Sequence, residues 1–269
     1  MVSRRVVRRR RQVLAGALVV LALVAVLAVR GEDERTPAPV AAAPPAAASP
    51  SATAPDPDGE GEVAVEEGPA SPEVPPASPD VSAGVLSAEV PEAGTGRLVT
   101  VPGTRAAPGA APGAETVQVR VQVEEGLPAD AAAVAETVMD VLQDPRGWGP
   151  DGWAFARTDD ADGAEDPDVT VVLASPVLSA QLCAPLETGG VLSCRNGERA
   201  VLTWYRWVGG AEAYGEDRVA YRQYLLSHEV GHFLGHGHEP CPGAGQLAPV
   251  MLQQTKGLQG CTPQPWPHP

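Results

Sequence analysis

Val117, Val119, Val121 and Val123 alternate with polar residues, the period-two pattern of a strand with one buried face. The period then changes. From Asp130 through Leu142 the apolar residues Val134, Val138, Val141 and Leu142 recur at helical spacing, and Asp144-Pro145 ends the run. Trp153 to Arg157 reads as a short strand and Val169 to Ala174 as a stronger one, with a helical turn at Leu178 to Leu182. Val191 to Cys194 and Ala200 to Trp204 flank Arg195-Asn196-Gly197-Glu198, where Asn-Gly signals a hairpin. After Gly209-Gly210, Asp217 is a good N-cap for a long helix ending at Gly235, with Leu226, Val230, Phe233 and Leu234 as its buried stripe. No internal repeat is visible, and a monomer is expected.

The first third of the chain reads differently. Residues 1–30 hold seven arginines and no acid, so the remainder carries 12 Lys+Arg against 34 Asp+Glu, a net charge of −22. Such a chain is not a nucleic-acid binder. Residues 1–12 are a basic segment expected to stay in the cytoplasm, and residues 13–29 run without a charge. That stretch is expected either to anchor the chain in the membrane or to be a signal segment cleaved near Val26-Leu27-Ala28. The expectation is a single-pass cell-membrane protein with an extracellular domain, or a secreted protein if the signal is cleaved. Residues 30–95 are Pro, Ala, Ser and acid with almost no large apolar residue, the composition of a disordered linker. The folded domain is then expected over 96–269.

The chemistry is concentrated in His228-Glu229-Val230-Gly231-His232-Phe233-Leu234-Gly235-His236-Gly237-His238, which holds four of the five histidines. On a helix, His228 and His232 lie about 40° apart and one turn apart, so both imidazoles can address one metal. Glu229 can reach a metal-bound water rather than the metal. A continued helix would swing His238 about 280° from His228. Gly235 is the residue able to end the helix in a left-handed conformation, so that the chain doubles back and delivers His238. Three neutral imidazoles leave a fourth position on zinc for water, as in a catalytic site. His236 falls outside the pattern and reads as a solvent-facing residue or one supporting a ligand.

These positions resemble the metzincin zinc-protease signature, HExxHxxGxxH, and Met251, 13 residues beyond His238, stands where a Met-turn would follow. Asp144-Pro145-Arg146-Gly147-Trp148, Ser193-Cys194-Arg195-Asn196-Gly197 and Pro249 to Gly257 also resemble the actinobacterial domain-of-unknown-function family 3152, over roughly residues 96–269. The resemblance implies an α+β fold of metzincin type. Its upper lobe would hold a mixed twisted sheet with two long helices, and its very short lower lobe, from Glu239, would carry the Met-turn.

It further implies zinc held by His228, His232 and His238, with Glu229 as general base for hydrolysis of a peptide or protein, cell-wall peptide among the candidates. Met251 would form a hydrophobic base beneath the imidazoles. The four cysteines allow three pairings; Cys183–Cys194 and Cys241–Cys261 would keep each bridge within one lobe. No tyrosine follows two residues after Met251, and Tyr205, Tyr214, Tyr221 and Tyr224 read as packing residues. Ala200 to Trp204 is a candidate cleft-edge strand for an extended substrate. A non-catalytic zinc-containing module that binds peptide or cell wall, using a surface near Trp204, Trp207 and Tyr214, is the rival reading.

Overall fold

The valine alternation builds the central strand of a mixed sheet. In the computed structural model, which describes residues 78–108, 112–159 and 167–269, strand β2 spans Glu115–Glu124. Its four alternating valines are buried, while Gln118, Arg120 and Gln122 on the other face are only half-buried. The sheet has six strands in the order β1-β2-β4-β6-β5, with β3 also paired to β2. Parallel strands β3 (Trp153–Arg157), β2, β4 (Val169–Ala174) and β6 (Arg199–Thr203) form its centre. Antiparallel β1 (Leu98–Thr100) pairs with the C-terminal end of β2, and antiparallel β5 (Cys194–Asn196) lies beyond β6. The fold is α+β.

Two helices cover the valine face. Helix α2 (Ala131–Leu142) starts where Asp130 accepts hydrogen bonds from the backbone N–H groups of Ala132 and Ala133, and it buries Val134, Val138, Val141 and Leu142. Helix α5 (Arg218–Leu234) starts at Asp217, which accepts from Ala220 N, and stops at Gly235 in the left-handed region (φ 105°). The two share one core with Val119, Val121, Val171, Leu173 and Leu202. The opposite face carries helix α3 (Pro176–Cys183), packed through Leu178 on Val172 and Ala174.

Three expectations change. First, Val191 to Cys194 is not a strand. The hairpin is shifted to Cys194–Asn196 against Arg199–Val201, with Gly197 (φ 61°) and Glu198 as its loop. Asn-Gly marked the turn correctly. The preceding residues instead wrap back: Ser193 Oγ accepts from Thr203 N, and Thr203 Oγ1 donates to Gly190 O. Secondly, Ala200 to Trp204 is not at an edge, because β6 is paired on both sides and β5 takes the outer position. Trp204 opens a further helix, α4 (Trp204–Gly209), whose Trp204, Trp207 and Val208 are buried at helical spacing.

Thirdly, residues 78–95 are part of the folded domain rather than linker. Helix α1 (Pro79–Ser82) leads into buried Ala83 and Val85. The indole N–H groups of Trp207 and Trp204 donate to the carbonyls of Ala83 and Glu89. Asp80 pairs with Arg218 and Arg222. Ala83 and Val85 join the core with Val90 packed against it, and the strap is held further because two tryptophans and a buried arginine of the domain require acceptors. The expected basic segment, the span at 13–29 and the linker up to residue 77 lie outside the described residues. Among the described residues no helix is long and apolar enough to cross a membrane.

Beyond Gly235 the chain has no helix or named strand, only an isolated bridge between Leu247 and Thr262. A disulfide, Cys241–Cys261, closes this segment, and Cys183–Cys194 ties α3 to β5; no cysteine is free. Its largest buried anchors are Met251, Leu252 and Trp266.

Candidate metal centre

The last two turns of α5 carry His228, Glu229 and His232. The helix then closes with paired hydrogen bonds, Gly235 N–H to His232 O (3.2 Å) and His236 N–H to Gly231 O (3.0 Å), the reversal that a left-handed residue permits. It brings His238 back to the first two imidazoles. One nitrogen from each of His228, His232 and His238 lies within 4.8 Å of the others. His232 Nε2 and His238 Nε2 are 3.0 Å apart. Two nitrogens bound to one tetrahedral zinc at about 2.0–2.1 Å would stand roughly 3.3 Å apart, so this pair has the spacing of two ligands, and the His228 nitrogen lies near enough to join them.

The other ring nitrogens are already engaged where the structure is rigid. His228 Nδ1 meets Val250 O at 2.8 Å and His232 Nδ1 meets His236 O at 2.9 Å. A carbonyl can only accept, so each Nδ1 carries the proton and each Nε2 presents its lone pair. Burial first, with the neighbouring His232 and His238 and against the pull of the Val250 carbonyl, brings the His228 pKa down to about 3. Burial comes first in lowering His238 too, followed by His232 and by Lys256, the chain's only lysine. Neutral imidazoles are the form that ligates a metal.

Glu229 is 4 % exposed, and its carboxylate makes no hydrogen bond among the described residues. Burial pushes its pKa up to about 8.

Met251 lies under the helix turn between His228 and His232. A Cβ on Gly231 would come within 2.6 Å of both the Met251 sulfur and the Trp148 ring, so only glycine lets the two pack so closely on the helix. The carbonyls of Val250 and Met251, consecutive in the chain, accept from His228 Nδ1 and from Glu239 N. They tie His228 on the helix to the backbone just past His238.

What fixes that segment is not visible in its local pattern. Tyr224 OH donates to Leu252 O and accepts from Gln254 N, Tyr214 OH donates to Gln254 Oε1, and Tyr221 OH is paired with Thr255 Oγ1. The three rings pack on one another, and Tyr224 reaches the His228 ring at 5.3 Å. Tyr221 and Tyr224 at i, i+3 on α5 are a readable signal of one shared helix face; their partners, 30 residues on, are not.

Residues 85–269 match the family described as Protein of unknown function (DUF3152). The chain belongs to this family. No curated protein and no solved structure matches it. Within the DUF3152 region, two of the three stretches singled out in the sequence meet around the three histidines. Trp148 packs against α5 at Gly231, and Pro249 to Thr255 runs beneath the helix. The Ser193–Gly197 stretch instead forms the outer strand and one disulfide.

Proposed function

We propose that the domain is an extracytoplasmic zinc-dependent peptidase of metzincin type. The observation that carries this reading is the convergence of three imidazole nitrogens within 4.8 Å, with a buried carboxylate on the residue following the first. His228, His232 and His238 would hold the ion. Zinc, when bound, supplies Lewis acidity, polarising a carbonyl and bringing the pKa of water toward about 7. Glu229 takes the proton of the attacking water at its carboxylate and returns it to the leaving nitrogen. Its burial favours that role, since a desolvated carboxylate binds a proton more readily. Met251 and the tyrosine-anchored segment below hold the imidazoles in place, as a Met-turn would in a short lower lobe. Two disulfides and the absence of a free cysteine favour an oxidising compartment, consistent with export behind residues 1–12 and a span or signal at 13–29.

The test uses the full-length purified chain. One zinc per chain is expected, largely lost in His232→Ala; stoichiometric metal in a His228→Ala/His232→Ala double variant refutes the site. Glu229→Gln should keep the zinc and lower peptide cleavage at least a hundredfold, since general acid–base catalysis contributes about 10²–10⁴-fold. A zinc-loaded wild type that cleaves nothing in a broad peptide library, cell-wall peptides included, leaves the non-catalytic binding module in its place.

A further inference from the structure

The three imidazoles are not held alike. His228 and His232 each give Nδ1 to a backbone carbonyl, whereas His238 Nδ1 has no hydrogen-bond partner among the described residues. His238 is exposed and follows Gly237, which has open space around it. A ligand without an outer partner takes its orientation from its backbone. Between Gly235 and His238 that backbone is held by hydrogen bonds, His236 N–H to Gly231 O and His236 O from His232 Nδ1, and by one side chain of its own. The His236 ring stacks on Trp148, with centroids 4.5 Å apart and planes at 28°.

Trp148 is itself fixed. It is 4 % exposed, its Nε1–H donates to Ser227 O at 3.1 Å, and its ring lies against Gly231. The loop before it is clamped: Asp144 accepts from the backbone and guanidinium of Arg146, which lies 4.3 Å over the Trp266 ring. His268 N–H then donates to Arg146 O.

We propose that Trp148 and His236 form a positioning pair for the metal centre, which rests on the zinc reading above. The indole holds the His236 ring. The residue so held sets the path of the backbone to His238, and its carbonyl orients the His232 ring. Gly237 has open space around it, and the stack adds a side-chain hold to the backbone hydrogen bonds of His236. Two of three ligands therefore depend on one residue that is not a ligand. Loss of an outer hydrogen-bond partner of a ligand costs about 10–100-fold in metal affinity, and loosening the residue that carries the partner carbonyl should cost the lower end of that range.

The experiment measures zinc affinity of the full-length chain by competition with a chromophoric chelator, and the visible spectrum of the Co²⁺-loaded form. His236→Ala should weaken zinc binding about 10-fold and alter the cobalt spectrum, with unchanged thermal unfolding of the metal-free chain. His236→Phe keeps a flat ring without a ligating nitrogen, and should restore both readings. Trp148→Leu combined with His236→Ala should bind zinc no more weakly than the weaker single variant. Wild-type affinity in His236→Ala overturns the pair while leaving the metal site standing. Failure of His236→Phe to rescue also overturns it, since the ring would then act through a nitrogen. A wild type that binds neither ion removes the metal reading, and this one with it.

Discussion

Replacing Asp80 by Asn should unfasten the N-terminal strap and destabilise the whole domain. Asp80 accepts from Arg222 Nη2 at 2.6 Å and from Arg218 Nε and Nη2 at 3.0–3.3 Å. The Arg222 side chain is 2 % exposed, its Nε–H donates to Trp207 O, and its Nη1 has no hydrogen-bond partner among the described residues. A guanidinium so placed depends on one carboxylate. Breaking a fully buried pair from one side costs about 3–5 kcal/mol. Asp80 is 30 % exposed, so water partly replaces it, and Arg218, 41 % exposed, adds little. The expected loss is therefore roughly 2–4 kcal/mol. At a urea slope of about 2 kcal/mol/M, the unfolding midpoint falls by roughly 1–2 M.

The sign of the pH dependence follows from the same contacts. The Arg218 hydrogen bond first, and Arg222 with it, hold the Asp80 pKa below its ordinary value. Its stabilisation is thus present above the unfolded value of about 3.9 and is lost as pH falls through the folded one. The gap between wild type and variant should be flat from pH 5 to 8 and close below about pH 4. Tryptophan fluorescence in urea measures the midpoint, and hydrogen exchange at Gly84 and Val85, whose N–H groups bond within the strap, reports the local release. Arg222→Met, which removes the charge itself, should cost less than Asp80→Asn. A variant within about 0.5 kcal/mol of wild type at pH 7 would refute the reasoning.

Two further outcomes check the packing around the candidate centre. Gly231→Ala places a methyl against Met251 and Trp148 and should cost about 1–3 kcal/mol in chemical denaturation, while Gly237→Ala, with open space around it, should cost under about 0.5. Mild reductant should open Cys241–Cys261, whose Cys241 is half-buried, before the fully buried Cys183–Cys194. Alkylation mapping by mass spectrometry shows the order, and opening the first bridge should loosen the segment carrying Met251 and weaken zinc binding. Reduction of Cys183–Cys194 first would contradict it.

Local pattern alone determined much of this protein. The valine alternation of β2, the Asp130 and Asp217 caps, the Gly235 stop and the i, i+4 histidines are all governed by neighbours within a few residues. Backbone geometry fixes such relations wherever the chain later goes. What the tertiary structure decided involves partners far apart in sequence. Residues 78–95 look like linker because their acceptors serve Trp204, Trp207 and Arg222, more than 100 positions away. Strand β6 is interior rather than edge because β5 folds over it, a choice of pairing that its own alternation does not contain. Gly231 stands at an unspecified position of the histidine motif, and its need for glycine comes only from Met251 and Trp148, which come to rest on it from either side in sequence. The identity of the three histidines could be read from their spacing. Their orientation could not, because it depends on the carbonyls of Val250 and His236, which only the closed fold brings to the imidazole nitrogens.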